Sequence, residues 1–583
     1  MWLPLTRRVS TFIILIAAVL AFSPRLGAQA SVRETYNDQA WKLYQERNYV
    51  EAERLYRAAV REAEATHTED IAYSNSLYGL SLVRYAQADL DESESLAVRA
   101  LALSERLEPN SRNHALKLNA VADAYRAKGK YTEALPHLRK RLSLIESAPE
   151  FSDLLAVTLR DIGDVLSQLG RYDEADPFVT RALAAAESEK DKTPLGVAGY
   201  QLALSSLRWQ QGRYSEAERL ARAAYTARES AMGTDAEDTA DAAFQLALAL
   251  NSQGRRAEAE ALYTRVLAAY EKIYGGSALE LTATLNNLAN IYNASGRYDQ
   301  ALTMHRRTLA IREAMQGPKH PEVARSLSNI GDVLRNKDDL AGAQATYERA
   351  LAIREEVFGK DSTQSASSLG ALAGLMSARG QYKEAETAYR RVLAILEGAY
   401  GPDSTQITTA ISNVADALAN QEQYAAAKAM YERAMAISRN AYGADSVQVA
   451  NPLSSLAWIL QRQSQYPAAE AQYRRVLAIR EAAYGPNAPV VASTLLSLAG
   501  TLASQEKLDE AGRLYERVLA IRIAQSGPDS TAAADAMASI GWMRSRLGDN
   551  VAAEAQYRKV LAIREKALGP DHIEVASAAE SLA

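Results

Sequence analysis

The sequence contains no cysteine among its 583 residues. The chain therefore cannot form a disulfide, carry a lipid on a cysteine or bind a metal through thiolates. Charge of one sign is also scarce, because 66 Lys and Arg face 71 Asp and Glu, a formal net charge of −5, and runs of one sign are short. This balance argues against nucleic acid as a partner, since proteins that bind nucleic acid present a basic face.

Recognisable catalytic and metal-binding patterns are missing as well. No GxSxG, GxxxxGK[ST] or HExxH motif occurs, and no two of the six histidines stand at a metal-ligand spacing. His305 replaces a repeated tyrosine, which favours a packing role, whereas His320 and His572 lie in turns near expected helix starts. We therefore expect no catalytic residue, no metal and no cofactor, and we interpret the chain as a non-enzymatic protein.

The first thirty residues differ from the rest of the chain. Arg7 and Arg8 precede the apolar run FIILIAAVLAF at 12–22, and Ala28 and Ala30 then form the small-residue pattern that a signal peptidase accepts. The run is shorter than the roughly 20 residues that span a bilayer, which disfavours an uncleaved anchor. Residues 1–30 are thus predicted to be a signal peptide, and we expect a periplasmic or secreted mature chain from a bacterium, with no integral membrane span after cleavage.

The rest of the chain, residues 31–583, repeats itself. The tetrapeptide LAIR and its variants LAIL and MAIS recur every 42 residues, starting at Leu309, Leu351, Leu393, Met435, Leu477, Leu519 and Leu561. We number each repeat from the residue that follows its internal turn, here called the anchor. The anchors are Tyr49, Leu90, Tyr131, Tyr172, Tyr214, Arg256, Tyr298, Leu340, Tyr382, Tyr424, Tyr466, Leu508 and Asn550. The first three steps are 41 residues and the others 42. Such self-similarity predicts a solenoid of about thirteen repeats and a partial last one.

Columns of small residues predict the structure of one repeat. A small residue stands nine residues before every anchor, and alanine stands three residues after it in every repeat except one, which has Ser93. Spacings of three, four and seven residues favour helix over strand, so each repeat should be a helix, a tight turn and a longer helix that approach closely at the small residues. We interpret LAIR as the buried stripe of the second helix, and Glu–Arg neighbours such as those in YERVLAIR as its exposed outer face.

Stop signals such as YGPDS at 400–404 and LGPDH at 568–572 separate the repeats. Glycine is expected to end each second helix in a left-handed conformation, and proline cannot continue that helix. Aspartate or serine should then cap the next first helix.

These columns, as in QYKEAETAYRRVLAI and GPDHIEVASAAESLA, resemble the tetratricopeptide repeat, specifically the 42-residue form of kinesin light chains. The resemblance covers about residues 34–583, although Arg256 and Asn550 replace the usual anchor aromatic. It implies an all-α, right-handed superhelical solenoid of helix-turn-helix repeats. It also implies that the first helices line a concave groove that holds an extended peptide or a partner helix.

The resemblance further implies that asparagines on the inner face of the first helices clamp a peptide backbone. The residues at the matching positions, and those one turn away on the same face, are Asn287, Asn290, Arg325, Asn329, Asp332, Asn413, Asp416, Trp458 and Trp542. We expect these nine residues to contact a protein or peptide partner. The alternative is a solvated surface for the polar residues and space filling between helices for the two tryptophans.

The sequence thus predicts an exported, non-enzymatic scaffold that mediates protein–protein interactions through its concave groove. A second hypothesis is that the array is the sensor or regulatory part of a larger protein whose catalytic or nucleotide-binding domain is absent from this chain. A third is self-association, because the final segment IEVASAAESLA begins a fourteenth repeat and would leave an unfinished hairpin.

Overall fold

The structure is a computed structural model that describes residues 32–189, 192–570 and 572–582, so the predicted signal peptide lies outside the described residues. Within those ranges the chain forms 27 α-helices and two short 3-10 helices, Pro149–Leu154 and Thr405–Ile407, and no strand. The first helices of the repeats are α1 Val32–Gln45, α3 Ile71–Ala86, α5 Arg112–Ala127, α7 Leu155–Gln168, α9 Pro194–Gln210, α11 Glu237–Ser252, α13 Leu281–Ala294, α15 Pro321–Asn336, α17 Thr363–Ala378, α19 Thr408–Asn420, α21 Val447–Arg462, α23 Pro489–Ala503, α25 Thr531–Arg546 and α27 Ile573–Leu582.

The second helices all begin at the anchors that the sequence identifies. They are α2 Tyr49–Ala65, α4 Leu90–Leu107, α6 Tyr131–Ser147, α8 Tyr172–Ser188, α10 Tyr214–Met232, α12 Arg256–Tyr274, α14 Tyr298–Gln316, α16 Leu340–Phe358, α18 Tyr382–Tyr400, α20 Tyr424–Tyr442, α22 Tyr466–Tyr484, α24 Leu508–Ser526 and α26 Asn550–Leu568. The second helices of the first four repeats have 17 or 18 residues and the later ones have 19, so the shorter early repeats lack residues at the end of that helix.

The chain forms two compact units, an N-terminal unit, Met1–Ile311, and a C-terminal unit, Arg312–Ala583. Within each unit a second helix packs against its own first helix and against the first helix of the next repeat. Each hairpin therefore covers the apolar side of its neighbour, as the repeat pattern predicts. The predicted all-α helical-hairpin solenoid is confirmed, and α27 packs on α26 as the start of a fourteenth repeat.

The two small-residue columns mark the points where the helices of a hairpin touch. The Ser93 hydroxyl donates to the carbonyl oxygen of Ser81 at 2.9 Å, which joins the two columns directly. A methyl group on Gly331 would lie 2.5 Å from a ring carbon of Tyr347. Larger side chains at these positions would separate the helices, so the close approach predicted from the columns is confirmed.

The turns follow the predicted pattern with one correction. Gly401, which ends α18, has φ 87° and ψ 158°. The predicted left-handed residue has the expected positive φ, but its ψ is extended and not helical. The residue instead adopts an extended conformation with positive φ that is essentially restricted to glycine. Serines cap later first helices, as expected: the Ser362 hydroxyl accepts from the Ser365 backbone N–H at 3.1 Å. His320 does the same through Nδ1 for Glu322 at 3.1 Å.

The arginine of LAIR is buried or partly buried, in line with the interpretation of LAIR as the buried stripe of the second helix. Arg312 is 4% exposed and Arg480 is 9% exposed. Arg312 donates from Nη1 to the Ser326 hydroxyl at 2.7 Å and to the carbonyl oxygen of Glu322 at 3.2 Å, both in the first helix of the next repeat. The long apolar stem lets the guanidinium cross the helix interface to these acceptors. The motif therefore joins successive repeats as well as filling the core.

Pairs of a glutamate and a basic residue lie on the outer face, and they link successive second helices. A basic residue nine after the anchor contacts a glutamate of the preceding second helix in each of the following pairs: Arg99–Glu64, Lys140–Glu105, Arg181–Glu146, Arg265–Glu229, Arg307–Glu271, Arg349–Glu313, Arg391–Glu355, Arg433–Glu397 and Arg517–Glu481. Each pair is partly exposed and is worth about 0–1 kcal/mol. Arg439 replaces the glutamate in one repeat, and Arg475 instead contacts Asp445 at 3.5 Å.

Candidate partner-binding surface

Four positions of the repeat define one side of each first helix, and several first helices carry polar or aromatic residues there. These positions stand fifteen, eleven, eight and four residues before the anchor, a spacing that places side chains on one helix face. In α15 they are Arg325, Asn329, Asp332 and Asn336, all exposed or partly exposed. We call this surface the first-helix face, and all nine predicted partner-binding residues belong to it.

Arg325 lies in a group of three arginines, two of which pair with the same carboxylate. Glu322 pairs with Arg325 and with Arg312, the latter at 3.0 Å. Arg354 donates to the Ser368 hydroxyl, and its pKa is lowered, first by burial and then by the positive charge of Arg325. One carboxylate does not balance three guanidinium groups, so this part of the face has an excess of positive charge.

Two of the predicted asparagines offer free amide groups in the C-terminal unit. Asn329 and Asn413 are partly exposed, and neither forms a hydrogen bond with another described residue. A primary amide provides both donors and an acceptor, which suits the unpaired groups of an extended peptide. Both amides are therefore accessible, and contact with a partner stays a prediction.

Asp332 and Asp416 are already engaged by tyrosines whose role the sequence analysis missed. The Tyr347 hydroxyl donates to Asp332 Oδ1 at 2.6 Å, and the Tyr431 hydroxyl donates to Asp416 Oδ1. Burial raises the pKa of Asp416, although the hydrogen bond from Tyr431 acts in the opposite direction. The repeated tyrosine seven residues after the anchor therefore extends through the hairpin to the first-helix face. In both repeats the tyrosine seven residues after the anchor occurs together with an aspartate eight residues before it. This pairing in the sequence could have indicated the contact.

Asn287 and Asn290 lie on α13 in the N-terminal unit, whereas the other seven predicted residues lie in the C-terminal unit. Asn290 is exposed, but Asn287 is 4% exposed, and its Nδ2 has no hydrogen-bond partner. The neighbouring Asn286 contacts His305 Nδ1 at 3.1 Å inside the hairpin. Asn287 is thus more enclosed than Asn329 and less accessible to a partner.

Trp458 and Trp542 are partly accessible to solvent, because 37% and 45% of their surfaces are exposed. Each carries an arginine one turn further along the same helix: the guanidinium carbons of Arg462 and Arg546 both lie 6.0 Å from the centroid of the adjacent indole. Exposed tryptophan and arginine are the side chains most often found as energetic anchors of protein interfaces. Both indoles are thus partly packed in the fold and partly available to a partner.

The N-terminal unit contains a charge network that the sequence analysis also missed. Asp161, whose side chain is 4% exposed, lies 3.1 Å from Arg160, 3.4 Å from Arg126 and 3.9 Å from Arg141. Arg126 also pairs with Asp123 at 3.0 Å. Burial raises the pKa of Asp123 to about 6. These charges come from three consecutive helices, so only the fold reveals the network.

Three arginines and three aspartates meet in this network, the third acid being Asp164 at 3.8 Å from Arg126. The N-terminal network therefore neutralises itself. Arg141 is 0% exposed, donates from Nη1 to Asn119, and has no partner for Nε or Nη2. Because solvent and ligands cannot reach a fully enclosed guanidinium directly, we assign this network a structural role.

Neither a candidate metal centre nor a candidate membrane span occurs in the described residues. No group of three or more His, Asp or Glu side chains among them could hold a metal ion. In the part of the chain that the structure describes, no helix has both the length and the apolar character needed to cross a membrane.

Comparisons with known proteins agree with the architecture. The family model described as "Tetratricopeptide repeat" matches residues 113–188, 197–272, 280–355, 326–398, 406–482 and 490–566, which is more than half of the chain. No curated protein matches the chain significantly.

Two crystal structures are similar to parts of the chain. One is BtubC (BKLC) from P. vanneervenii, with 22% identity, a TM-score of 0.35, and coverage of 40% of this chain and 91% of that one. Another is a Podosopora anserina putative kinesin light chain with nearly identical TPR-like repeats, with 22% identity, a TM-score of 0.33, and coverage of 36% and 98%. The family match and the thirteen hairpins together show that this chain belongs to the tetratricopeptide-repeat family, with repeats of the kinesin-light-chain type.

Proposed function

We propose that this protein is an exported, non-enzymatic scaffold that binds a protein or peptide partner on its first-helix face. Tetratricopeptide repeats generally mediate protein–protein interactions. The observation that carries the proposal for this chain is that the first-helix face of the C-terminal unit has accessible polar groups without hydrogen-bond partners among the described residues. There, Asn329 and Asn413 have free amides, and Arg325 lies in a group with excess positive charge. Polar groups of this kind are suited to an extended peptide.

Binding is expected to be distributed over several repeats, with affinity from many backbone contacts and specificity from a few side chains. A fixed scaffold of packed hairpins lowers the entropy lost on binding, because the recognition groups are already positioned. The self-neutralised network around Asp161 makes the N-terminal unit a poorer candidate for the main contact surface.

The test of this proposal is affinity capture with matched variants of the chain that starts at Ser31. The triple variant N287A/N329A/N413A should keep its helical content and melting temperature but retain less of the partner that the unaltered chain captures from envelope extract. The control variant R219A/R513A/K559A changes three exposed residues of second helices and should capture normally. Equal capture by the triple variant and the unaltered chain would contradict the assignment of the first-helix face.

Export is a separate part of the proposal, supported by the apolar run at 12–22 and the small residues Ala28 and Ala30. Cleavage should leave Ser31 as the first residue of the mature chain. N-terminal sequencing of protein purified from its source checks this expectation. A chain that retains residues 1–30 would contradict cleavage.

A further inference from the structure

Exposed aromatic side chains recur at the last residue of the second helix in the C-terminal unit, eighteen residues after the anchor. In four successive repeats this residue is Phe358, Tyr400, Tyr442 or Tyr484. These side chains are between 40% and 53% exposed, and the three tyrosine hydroxyls form no hydrogen bond with a described residue. Gln316 and Ser526 occupy the same position in other repeats of the unit, so the fold does not require an aromatic ring there. We call Tyr400, Tyr442 and Tyr484 the tyrosine row.

An arginine of the next repeat holds the turn that follows each tyrosine of the row. Arg433 donates from Nη2 to the carbonyl oxygen of Pro402 at 2.8 Å. Equivalent bonds run from Arg475 to Ala444 at 3.1 Å and from Arg517 to Pro486 at 2.8 Å. The backbone beside each ring is thereby fixed against the next repeat. A ligand that binds several rings therefore loses little entropy in ordering the protein.

The packing of the helices sets the distance between the rings. Helices α18 and α20 both pack on α19, and α20 and α22 both pack on α21. Packed helix axes are about 8–10 Å apart, so successive tyrosines of the row are roughly 10–15 Å apart. A linear ligand that binds the whole row must therefore present a similar apolar surface again and again along its length.

A cavity of about 350 Å³ lies between Tyr400 and Tyr442. Its lining residues are Asp403, Arg433, Ala436, Ile437, Asn440 and Ala441. Asp403 follows Tyr400 by three residues, and Asn440 precedes Tyr442 by two. Both polar side chains are exposed, and neither forms a hydrogen bond with a described residue. A carboxylate acceptor and an amide that both donates and accepts thus lie between two aromatic rings.

The charges along the tyrosine row favour a neutral ligand. Arg433 pairs with Glu397 at 2.6 Å, and Arg475 pairs with Asp445 at 3.5 Å. Asp403 has no ion-pair partner among the described residues, and it lines the same cavity as Arg433. An anion in the cavity would meet the carboxylate and a cation would meet the guanidinium. Charge complementarity therefore selects an uncharged ligand, and the free carboxylate suits a hydroxyl donor.

We propose that the tyrosine row binds a neutral, linear polysaccharide of β-1,4-linked pyranoses with equatorial substituents. The axial C–H groups of such a sugar form an apolar, weakly positive face that stacks on the negative face of a tyrosine ring. Hydroxyl groups at the edge of the sugar donate to Asp403 and exchange hydrogen bonds with Asn440 in the cavity. Because one polysaccharide chain reaches several tyrosines, the contacts reinforce one another.

This inference goes beyond the proposed function and does not depend on it. The tyrosine row lies on second helices, whereas the partner proposed above binds residues of first helices. The protein would thus carry a polysaccharide site in addition to its first-helix face.

Isothermal titration calorimetry of the chain from Ser31 tests the ligand class. The probes are cellohexaose and chitohexaose, which are β-1,4-linked, together with cellobiose and the α-1,6-linked isomaltohexaose. At least one β-1,4-linked hexamer should bind saturably and with little dependence on salt. Cellobiose, which reaches a single tyrosine, and isomaltohexaose, whose flexible links do not align its rings, should bind at least about tenfold more weakly. No binding of either β-1,4-linked hexamer, or equal binding of isomaltohexaose, would overturn the proposal.

Variants locate the sugar on the protein. Y400F/Y442F/Y484F keeps the aromatic faces and should bind the hexamer nearly as well as the unaltered chain. Y400L/Y442L/Y484L keeps apolar side chains without aromatic faces and should bind at least about tenfold more weakly. D403A should bind several-fold more weakly, whereas Y214L, which replaces an exposed tyrosine of the N-terminal unit, should bind normally. Equal binding by the leucine variant and the unaltered chain would overturn the assignment to the tyrosine row.

Light scattering tests a second copy of this chain as the alternative occupant. Under the proposal the unaltered chain and Y400S/Y442S/Y484S have the same mass at the concentrations of the titrations. A larger mass for the unaltered chain alone would assign the row to self-association and overturn the proposal. Melting curves of all variants accompany these measurements, and the phenylalanine variant preserves the rings if the others fold poorly.

The outcome is separable from the test of the proposed function. N287A/N329A/N413A leaves the tyrosine row unchanged and should bind the hexamer normally. If the unaltered chain binds no hexamer but the asparagine variant captures less partner, the scaffold function stands and the polysaccharide site does not.

Discussion

The two compact units share one hairpin design but differ in the charge of their first-helix faces. In the N-terminal unit, Asp161 and neighbouring aspartates neutralise Arg126, Arg141 and Arg160. In the C-terminal unit, Arg462 and Arg546 have no acidic partner among the described residues. The comparison teaches that the buried columns conserve the architecture of each repeat while the exposed columns are free to acquire different roles. A self-neutralised face stabilises the protein, and an unbalanced face can attract a partner.

The largest expected effect concerns what the two units share. A175L in the N-terminal unit and A385L in the C-terminal unit both place leucine in the fully buried alanine column. Each should cost about 3 kcal/mol of local stability, at the upper end for overpacked cores, because the helices cannot separate without losing contacts along their length. Hydrogen exchange with mass spectrometry measures the opening free energy of the affected repeat.

The control for this pair is A394L, which changes an exposed alanine of the same helix as Ala385. It should alter stability by no more than about 0.5 kcal/mol. A markedly smaller cost for A175L than for A385L would show that the two units do not share the same close-packed hairpin.

The second prediction tests whether the two units differ in how much their charges stabilise the fold. D161N should cost about 3 kcal/mol in the N-terminal unit, because three buried or partly buried guanidinium groups lose their common carboxylate. R462Q should change stability by no more than about 0.5 kcal/mol, since Arg462 pairs with no acid. Urea unfolding followed by circular dichroism compares the two variants. Equal losses of unfolding free energy in D161N and R462Q would mean that the charges of both first-helix faces stabilise the fold.

The third effect is the dependence of stability on pH. Burial alone would raise the pKa of Glu470, but hydrogen bonds from Lys507, Gln505 and Arg474 outweigh it and lower the pKa to about 2. A carboxylate with a lowered pKa stabilises the fold above its unfolded value, and that contribution is lost as the pH falls from about 4.5 towards 2. We expect a loss of about 1–2 kcal/mol around α22–α24, because partial exposure screens the charges.

Asp123 in the N-terminal unit acts with the opposite sign. Its pKa is raised to about 6, so the folded state binds the proton more tightly than the unfolded state, and stability rises as the pH falls from about 6 to about 4. Hydrogen exchange at several pH values, corrected for intrinsic rates, separates the two responses. E470Q should flatten the acid response of the C-terminal unit alone, and the same response in both units would contradict these assignments.

The smallest effect concerns backbone conformation in the turn between the two helices of a repeat. The residue two before the anchor has positive φ in all thirteen repeats, and Asp338, Glu422, Ser464 and Glu506 occupy it in four of the six turns of the C-terminal unit. Glycine tolerates this conformation without the strain of a side chain. S464G should therefore stabilise its repeat by about 1 kcal/mol, whereas G380A at the same position should destabilise by a similar amount. Thermal melting measures the stability of both variants. A loss of stability in S464G would contradict the proposal that the positive φ of Ser464 is strained.

Much of the fold could be predicted because the period repeats the same physical requirement thirteen times. Every anchor is the first residue of a second helix, and the small-residue columns mark the contact between helices. The candidate site could be predicted only in part. Asn329 and Asn413 are accessible as expected, but Asn287 is enclosed, and its sequence column gave no sign of this.

The contacts that the sequence analysis missed are made by long side chains with a different helix, either of the same repeat or of the next one. The hydrogen-bond acceptors of Arg312 are Glu322 and Ser326 on the next helix, so these bonds could not be predicted from the sequence of its own helix. The hydroxyl of Tyr347 reaches Asp332, which precedes it by 15 residues on the other helix of the hairpin. Local periodicity does not specify where a long side chain ends.

The sequence alone determined the secondary structure, the repeat boundaries and the family, because periodic small and apolar residues allow one way of stacking helical hairpins. Tertiary structure alone decided which charges are neutralised. Arg126, Arg141 and Arg160 meet Asp161 on neighbouring helices, whereas Arg462 and Arg546 meet no acid among the described residues. The physical reason is that the energy of a charge depends on distance and burial, and both are set by the packing of one repeat on the next.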